Sequence, residues 1–277
     1  MHPLSSWPCA DRRQLVGVFT DIDDTLTTDG AITPDALHAL AQLQAAGLHV
    51  IAITGRPVGW SAPFAACWPV DAIVAENGSV ALNPGKIIDK NGLQPPPLLR
   101  EPLSKLYQQD TATRATHYAR MQLVARRVLR EVPGTTLAQD SPGRETDIAI
   151  DHSEFTHLPP DRIAQVVRIL RSEGMNASVS SIHVNGWFGG HNKREGARWI
   201  VQRLLQRNLD AERCRWAFVG DSTNDQLMFE AFDNSVGVAN IRRFEAELAH
   251  LPRYVTPSAR GAGFSEVAHA ILEARRT

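Results

Sequence analysis

Short apolar runs that each close on a polar cluster recur along the first third of the chain. Leu15 to Thr20 (LVGVFT) runs into Asp21-Ile22-Asp23-Asp24-Thr25, and His49 to Thr54 (HVIAIT) runs into Gly55-Arg56-Pro57. Ala72 to Ala75 closes on Glu76-Asn77-Gly78. Apolar runs of this length without alternation predict strands buried on both faces. Between the first two, Thr33, Pro34 and Asp35 fit the N-cap, first position and first turn of a helix. Leu37, Leu40, Leu43 and Ala46 follow at helical spacing, and Gly47 supplies the stop. Strands alternating with helices predict a parallel α/β sheet.

The rhythm changes after Val80. Pro84, Pro95, Pro96 and Pro97 break the next segment, and Glu101 to Glu131 predicts one long helix or two shorter ones. Glu145 to Asp151 (ETDIAID) alternates like an antiparallel strand with one exposed face. Asp161 to Ser172 places Ile163, Val166, Val167 and Leu170 on one helical face, and Ala177 to Phe188 predicts another strand. The α/β rhythm resumes at Asn192, with a helix over Lys193 to Arg207 and a strand over Trp216 to Gly220 that ends at Asp221. A helix over Asn224 to Phe232, a strand over Ser235 to Val238, and helices near Arg242 to Ala249 and Phe264 to Arg275 complete the pattern. The expected organisation is a core made of residues 1–81 and 190–277, interrupted by an inserted α+β module over residues 82–189. For 277 residues, two domains accord with roughly 100–200 residues each.

Composition narrows the function. Hydrophobic residues at 43% and charged residues at 21% describe an ordinary globular chain with a sizeable core. A formal net charge of -1 gives no basic field for nucleic acid, so an anionic substrate must be held by a few local cations or a metal. The three cysteines, Cys9, Cys67 and Cys214, are odd in number and widely spaced. They fit a reducing compartment and make a zinc site improbable. No signal-peptide pattern opens the chain, and no apolar stretch approaches ~18 residues, so the expected location is cytoplasmic.

The candidate chemistry lies at the carboxyl ends of the predicted strands, where open parallel sheets form their sites. Three such ends are polar: Asp21 to Thr25, Thr54-Gly55-Arg56, and Gly220-Asp221-Ser222-Thr223-Asn224-Asp225. Lys193 opens a helix just after the inserted module. Carboxylates gathered in one cleft repel unless a cation offsets them. All-oxygen donors suit Mg²⁺. A carboxylate can attack phosphorus to give an acyl phosphate, a second carboxylic acid can protonate the leaving oxygen, and Thr54 and Lys193 could hold the phosphoryl group. Singly these features read as a solvated turn, a strand-to-helix turn or a surface lysine; their joint occurrence, in order and at strand ends, carries the argument.

With those motifs the chain resembles the phosphatase branch of the haloacid dehalogenase superfamily: DIDDT (Asp21 to Thr25), Thr54 in ITGRP, Lys193, and GDSTND (Gly220 to Asp225). An insert between the second and third motifs resembles the type II cap subclass, which contains many sugar-phosphate phosphatases, and Glu76-Asn77-Gly78-Ser79 resembles a loop common there. The resemblance implies a Rossmann-like parallel-sheet core with an α+β cap that selects the substrate. By position it implies Asp21 as nucleophile, Asp23 as general acid and base, and Mg²⁺ held by Asp21, Asp23 through its backbone carbonyl, and Asp221. Asp225 would support the metal site or Lys193. The second aspartate favours phosphoester over haloacid chemistry. Asp24 stands where Gly is more frequent and Arg194 where Gly is common.

The expected activity is hydrolysis of a small phosphorylated metabolite, above all a sugar phosphate. The rivals are a phosphomutase or phosphotransferase, which the same motifs serve, and a non-catalytic binding protein, which should have lost Asp21, Asp23 or Lys193. Candidate substrate contacts are Arg56 in the core and Arg144, Glu145, His183, Asn185, Trp187 and His191 in or beside the cap. Trp187 either stacks on a sugar face or packs the cap–core junction, and His183 either binds or lies on a solvated strand face. Neither nucleic acid nor membrane is an expected partner.

Overall fold

The computed structural model describes residues 1–85 and 103–276. Its strands are β1 (His2–Pro3), β2 (Gly17–Thr20), β3 (Thr27–Thr28), β4 (Ala31–Ile32), β5 (His49–Ile53), β6 (Ala72–Ala75), β7 (Val80–Asn83), β8 (Ser104–Tyr107), β9 (Thr136–Leu137), β10 (Ile148–Asp151), β11 (Asn176–Val179), β12 (His183–Trp187), β13 (Trp216–Gly220), β14 (Asn234–Gly237) and β15 (Tyr254–Val255). Its helices are α1 (Cys9–Arg13), α2 (Pro34–Ala45), α3 (Val58–Cys67), α4 (Thr111–Glu131), α5 (Pro160–Ser172), α6 (Lys193–Leu205), α7 (Gln226–Ala231) and α8 (Arg260–Arg276).

One sheet runs β1-β15-β14-β13-β2-β5-β6-β7-β8, parallel from β1 to β6 and antiparallel at the last two pairings. The chain starts its α/β winding at central β2, moves one way through β5 and β6, and later the other way through β13 to β15. That reversal makes the carboxyl end of β2 a topological switch point. It also makes β13, β2 and β5 immediate neighbours, so the three polar strand ends converge although they are far apart in sequence.

Successive side chains of the central strands face opposite layers, as the pleat requires. Val18, Val50, Ala52, Ala217 and Val219 pack with α2, α3 and α8, whereas Phe19, Ile51, Ile53, Trp216 and Phe218 pack with α6 and α7. Both faces are apolar, which is why these strands read as continuous hydrophobic runs. A four-stranded antiparallel sheet, β11-β12-β10-β9, forms the smaller unit. Met121, Val124 and Val128 of α4 and Val166 and Leu170 of α5 cover it with a separate apolar core. The expected class, a parallel-sheet α/β core with an α+β insert, is what the structure has.

Several expected elements differ in detail. Residues 95–97 and Glu101, which the sequence assigns to a broken segment and a helix start, lie outside the described residues. The helix begins at Thr111 because Asp110 caps it, its Oδ1 accepting from the Thr113 amide at 2.9 Å. Ser104–Tyr107 is instead a strand paired with β7. Residue 82, the expected start of the insert, falls within β7, and β7 and β8 both extend the large sheet. We therefore propose that the second unit begins near Asp110. The expected strand over Ala177 to Phe188 is a hairpin: the Ser180 amide bonds the His183 carbonyl at 2.8 Å, and its hydroxyl accepts from the Ile182 and His183 amides. β10 starts three residues late because the Glu145 and Thr146 amides donate to the Glu76 carboxylate instead.

The start of α6 rests on backbone-to-backbone contact. A Cβ on Gly196 would lie 2.5 Å from the Gly78 Cα, and one on Gly78, whose φ is +106°, would lie 2.3 Å from the Asn192 carbonyl oxygen. Only glycine fits at either place. Gly196→Ala is expected to destabilise the protein by about 1–3 kcal/mol through overpacking. Gly190→Ala, with open space around the added carbon, should stay within about 0.5 kcal/mol. Urea unfolding of the two variants measures the difference.

Candidate active site

The pocket is built from the loops that leave β2, β5 and β13 and from the first turn of α6. Asp21, Asp221 and Asp225 each present a carboxylate oxygen within 4.8 Å of the others, all buried. Lys193, the first residue of α6, reaches Asp21 Oδ1 at 2.6 Å and Asp225 Oδ1 at 2.7 Å with 2% exposure. Asn192 caps that helix, its Oδ1 accepting from the Glu195 amide at 3.0 Å. Asp225 Oδ2 accepts from the amides of Asp221 and Ser222 at 3.0 and 3.2 Å. Both Asp225 oxygens are thus committed to the lysine and the loop.

Burial pushes Asp21 up to about 8 against the pull of Lys193, with Asp225 and Asp23 adding to the rise. Burial also raises Asp221 well above the ordinary carboxylate range, and Asp21 and Asp225 raise it further. For Lys193 burial works downward, but the two carboxylates beside it outweigh this and hold it firmly as the ammonium. Asp221 Oδ2 accepts from Asn240 Nδ2 at 2.8 Å, and Arg243 Nη2 lies 3.4 Å away. Asp221 Oδ1 is buried with no hydrogen-bond partner among the described residues. A buried, unserved carboxylate oxygen beside a second carboxylate fits a hard, oxygen-seeking divalent cation.

Asp24 explains why glycine is the more frequent residue there. Its φ is +56°, in the left-handed region. Its carboxylate pairs with Arg243 and Arg260, each 3.1 Å away, and still adds to the rise of Asp221.

Asp23 faces the cap. Arg56 Nε donates to both of its oxygens at 2.9 and 3.1 Å. The same guanidinium reaches Asp140 at 3.2 Å and Glu154 at 2.8 Å, and stacks over the Trp60 ring at 4.9 Å. Glu154 also bonds His183 Nε2 at 2.8 Å. Burial raises the Glu154 carboxyl, but His183 and Arg56 hold it down to about 2. Thr54, fully buried, accepts from the Arg56 amide at 3.0 Å through its hydroxyl oxygen.

The remaining sequence candidates divide. Arg144 and Asn185 lie not on an open wall but in a buried junction, both donating to the Gly55 carbonyl, at 3.0 and 3.4 Å. They also converge on Asp147, with Asn77 a third donor. Burial pushes Asp147 up to about 7 despite Arg144. Glu145 points away, to Lys105 and Tyr107. Trp187 belongs to the cap core and donates its indole N–H to the His191 carbonyl at 2.8 Å. His191 stacks on that indole, and burial holds it down to about 4. His183 and Asn185 share a pocket of about 10 Å³ with Asp21 and Asp23, room for roughly one water. Beyond Asp23 and Arg56 it gives way to a cleft of about 1160 Å³ between α5, the cap hairpin and the core.

Sequence reasoning missed Asp140 and Glu154, the cap partners of Arg56, and Asn240 and Arg243, the partners of Asp221. Asn240 follows β14 and was within reach of the strand-end rule. Glu154 had no signal, since it is placed by Asp151, whose carboxylate collects the amides of residues 153–156.

Residues 18–121 match the haloacid dehalogenase-like hydrolase family, which bears out the resemblance drawn from the motifs. No curated protein matches the sequence. Solved structures share the fold. A Thermoplasma acidophilum protein (0175) is 15% identical with a TM-score of 0.68, over 93% of this chain and 99% of its own. The sucrose-phosphatase of Synechocystis sp. PCC6803, solved with sucrose and phosphate, is 17% identical with a TM-score of 0.62, over 93% and 98%. The sugar phosphatase BT4131, of subclass IIB, is 14% identical with a TM-score of 0.60, over 91% and 97%.

The junction and the exposed pair should respond differently to mutation. Arg144→Leu leaves buried Asp147 without its cation and is expected to lose about 3–5 kcal/mol. Glu145→Ala breaks a partly exposed pair and should lose about 1 kcal/mol or less. Denaturant melts of both variants decide whether Arg144 anchors the junction.

Proposed function

We propose that this chain, a haloacid dehalogenase-like hydrolase by its matched segment and its fold, is a magnesium-dependent phosphatase acting on a small phosphorylated metabolite, a sugar phosphate above all. The observation that carries the reading is the Asp21–Lys193–Asp225 bridge beside Asp221, at the ends of the adjacent strands β2 and β13 and the start of α6, with Asp23 facing the cleft. The sugar-phosphate class is supported by the sucrose-phosphatase and the subclass IIB sugar phosphatase among the similar structures. The non-catalytic rival has nothing in its favour, since Asp21, Asp23 and Lys193 are all present and in place. Described helices are not long and apolar enough to cross a membrane, and the cytoplasm is the compartment we assign.

Asp21, Asp221 and the backbone carbonyl of Asp23 would hold the metal, and Asp225 would support it. Bound Mg²⁺ supplies charge neutralisation and alignment of the phosphoryl group. In the proposed sequence an Asp21 oxygen attacks phosphorus and the ester P–O bond breaks, with Asp23 giving its proton to the leaving oxygen. Asp23 then takes a proton from water as that water attacks the aspartyl phosphate. Phosphate leaves and the Asp21 carboxylate is restored. Lys193 offsets phosphoryl charge, and Thr54 offers its hydroxyl to a phosphoryl oxygen.

Phosphate release should stop with chelator and return with Mg²⁺. Asn240→Ala, which removes the Nδ2 donor from Asp221, should raise the Mg²⁺ needed for half-activity by about 10–100-fold. Full turnover in metal-free buffer would end the metal assignment.

Asp21→Asn should abolish turnover and phosphoenzyme. Asp23→Asn should slow turnover by about 10²–10⁴-fold and still allow trapping by phosphate analogues. Substantial activity in the first variant would show that Asp21 is not the nucleophile. Release of an isomeric phosphate in place of free phosphate would move the protein to the phosphotransferases.

A further inference from the structure

The cleft beyond Asp23 is far larger than a phosphoryl group needs, and its charges are not evenly spent. Arg56 is committed to Asp23, Asp140 and Glu154. Arg243 is committed to Asp24 and Asp221, and Arg260 to Asp24 and Asp29. Two further arginines line the cleft, Arg168 and Arg171 of α5. Both are exposed, and neither side chain has an ion-pair or hydrogen-bond partner among the described residues. Glu247, on the core wall, is the one cleft carboxylate in the same condition, so the unspent charge is two cations against one anion. His152 also lines the cleft, but burial lowers it, so it adds no charge near neutral pH.

The face of α5 explains this placement. Val166, Ile169 and Leu170 are buried in the cap core. Ile163, Val167, Arg168 and Arg171 line the cleft, at the spacing of one helix face. From Ile163 to Arg171 the helix rises about 12 Å. Along it the wall changes from apolar to cationic, and Phe155, Ile182 and Phe244 continue the apolar part on neighbouring segments. A wall of this kind matches a molecule with an apolar surface along its length and a negative charge at its far end. Paired arginine forks are suited to a carboxylate or phosphate.

We propose that Arg168 and Arg171 form an anion subsite for the leaving group. The favoured substrate is then a phosphomonoester whose alcohol carries a second anionic group, a carboxylate or another phosphate, behind a partly apolar body. This rests on the phosphatase reading of Asp21 and Asp23 and names the substrate class for that site.

The test uses matched phosphate pairs that differ in the distal charge. The pairs are fructose 1,6-bisphosphate with fructose 6-phosphate, 6-phosphogluconate with glucose 6-phosphate, and 4-carboxyphenyl phosphate with phenyl phosphate. Affinities for the Asp21→Asn variant with Mg²⁺ are measured by titration calorimetry, so no turnover is needed. The anionic member of at least one pair should bind about tenfold or more tightly than its partner, and 0.5 M salt should shrink the ratio, as for exposed charges about one Debye length apart or more. Arg168→Ala/Arg171→Ala should bring the ratio to about one, and Arg168→Lys/Arg171→Lys should keep part of it. Both side chains are exposed, so these variants should fold, which thermal melts check. Equal binding within every pair, or a ratio that survives the double alanine variant, overturns the subsite. Phosphate release from phenyl phosphate by the wild-type protein is read separately. Its absence would overturn the phosphatase reading, while the binding ratios still decide the subsite.

Discussion

Like-charge crowding is the constraint around which this molecule is arranged. Asp21, Asp221 and Asp225 stand within 4.8 Å of one another in a buried pocket, with a single ammonium among them. Two unit charges at 4 Å repel by about 4 kcal/mol at an effective dielectric constant near 20, so three carboxylates cannot all be ionised there without help. The help is local and directional. Loop amides serve Asp225, Asn240 serves one oxygen of Asp221, and Arg243 stands behind it. Among the described residues, Asp221 Oδ1 is the buried oxygen of these three carboxylates left unserved. The residual imbalance is confined to the one point where a cation would remove it.

That arrangement sets tolerances on the backbone. Lys193 has to start a helix at the one place from which its ammonium reaches Asp21 and Asp225 together. The glycine contact between Gly78 and Gly196 brings α6 that close to the loop after β6. The same loop carries Glu76 and Asn77 with φ of +48° and +55°, conformations that non-glycine residues hold at some cost. The cost is offset by what the loop does. The Glu76 carboxylate accepts from the amides of Val58, Glu145 and Thr146, joining core helix, cap linker and loop in one buried group.

How much of this could be read from sequence follows from the range of each interaction. Strand ends were legible because a run such as HVIAIT, buried on both faces, must stop where polar residues begin. Asp21, Thr54 and Asp221 were legible as strand ends because the parallel topology gathers such ends, and Lys193 was legible as the opening of a helix after the insert. The cap was legible as a composition change but not in its contacts. Arg144, Asp147, Asn77 and Asn185 meet across the junction with no periodicity to betray them. The bonds of Arg144 and Asn185 to the Gly55 carbonyl had no signal in the sequence for the same reason. The start of α4 was misread because Ser104–Tyr107 has no strand pattern of its own; it is a strand only because β7 offers it an edge.

The two ends of the cap–core boundary are built differently. At the mouth, Arg56 joins Asp23 of the core to Asp140 and Glu154 of the cap. Every partner there has a second one: Asp140 pairs with Arg144, Glu154 with His183, and Arg56 with Asp23 itself. Parting cap from core at this end therefore strands no charge. At the other end, Glu76 is fully buried and its donors come largely from the cap linker. Separation there would leave a buried carboxylate without those donors, a loss of several kcal/mol.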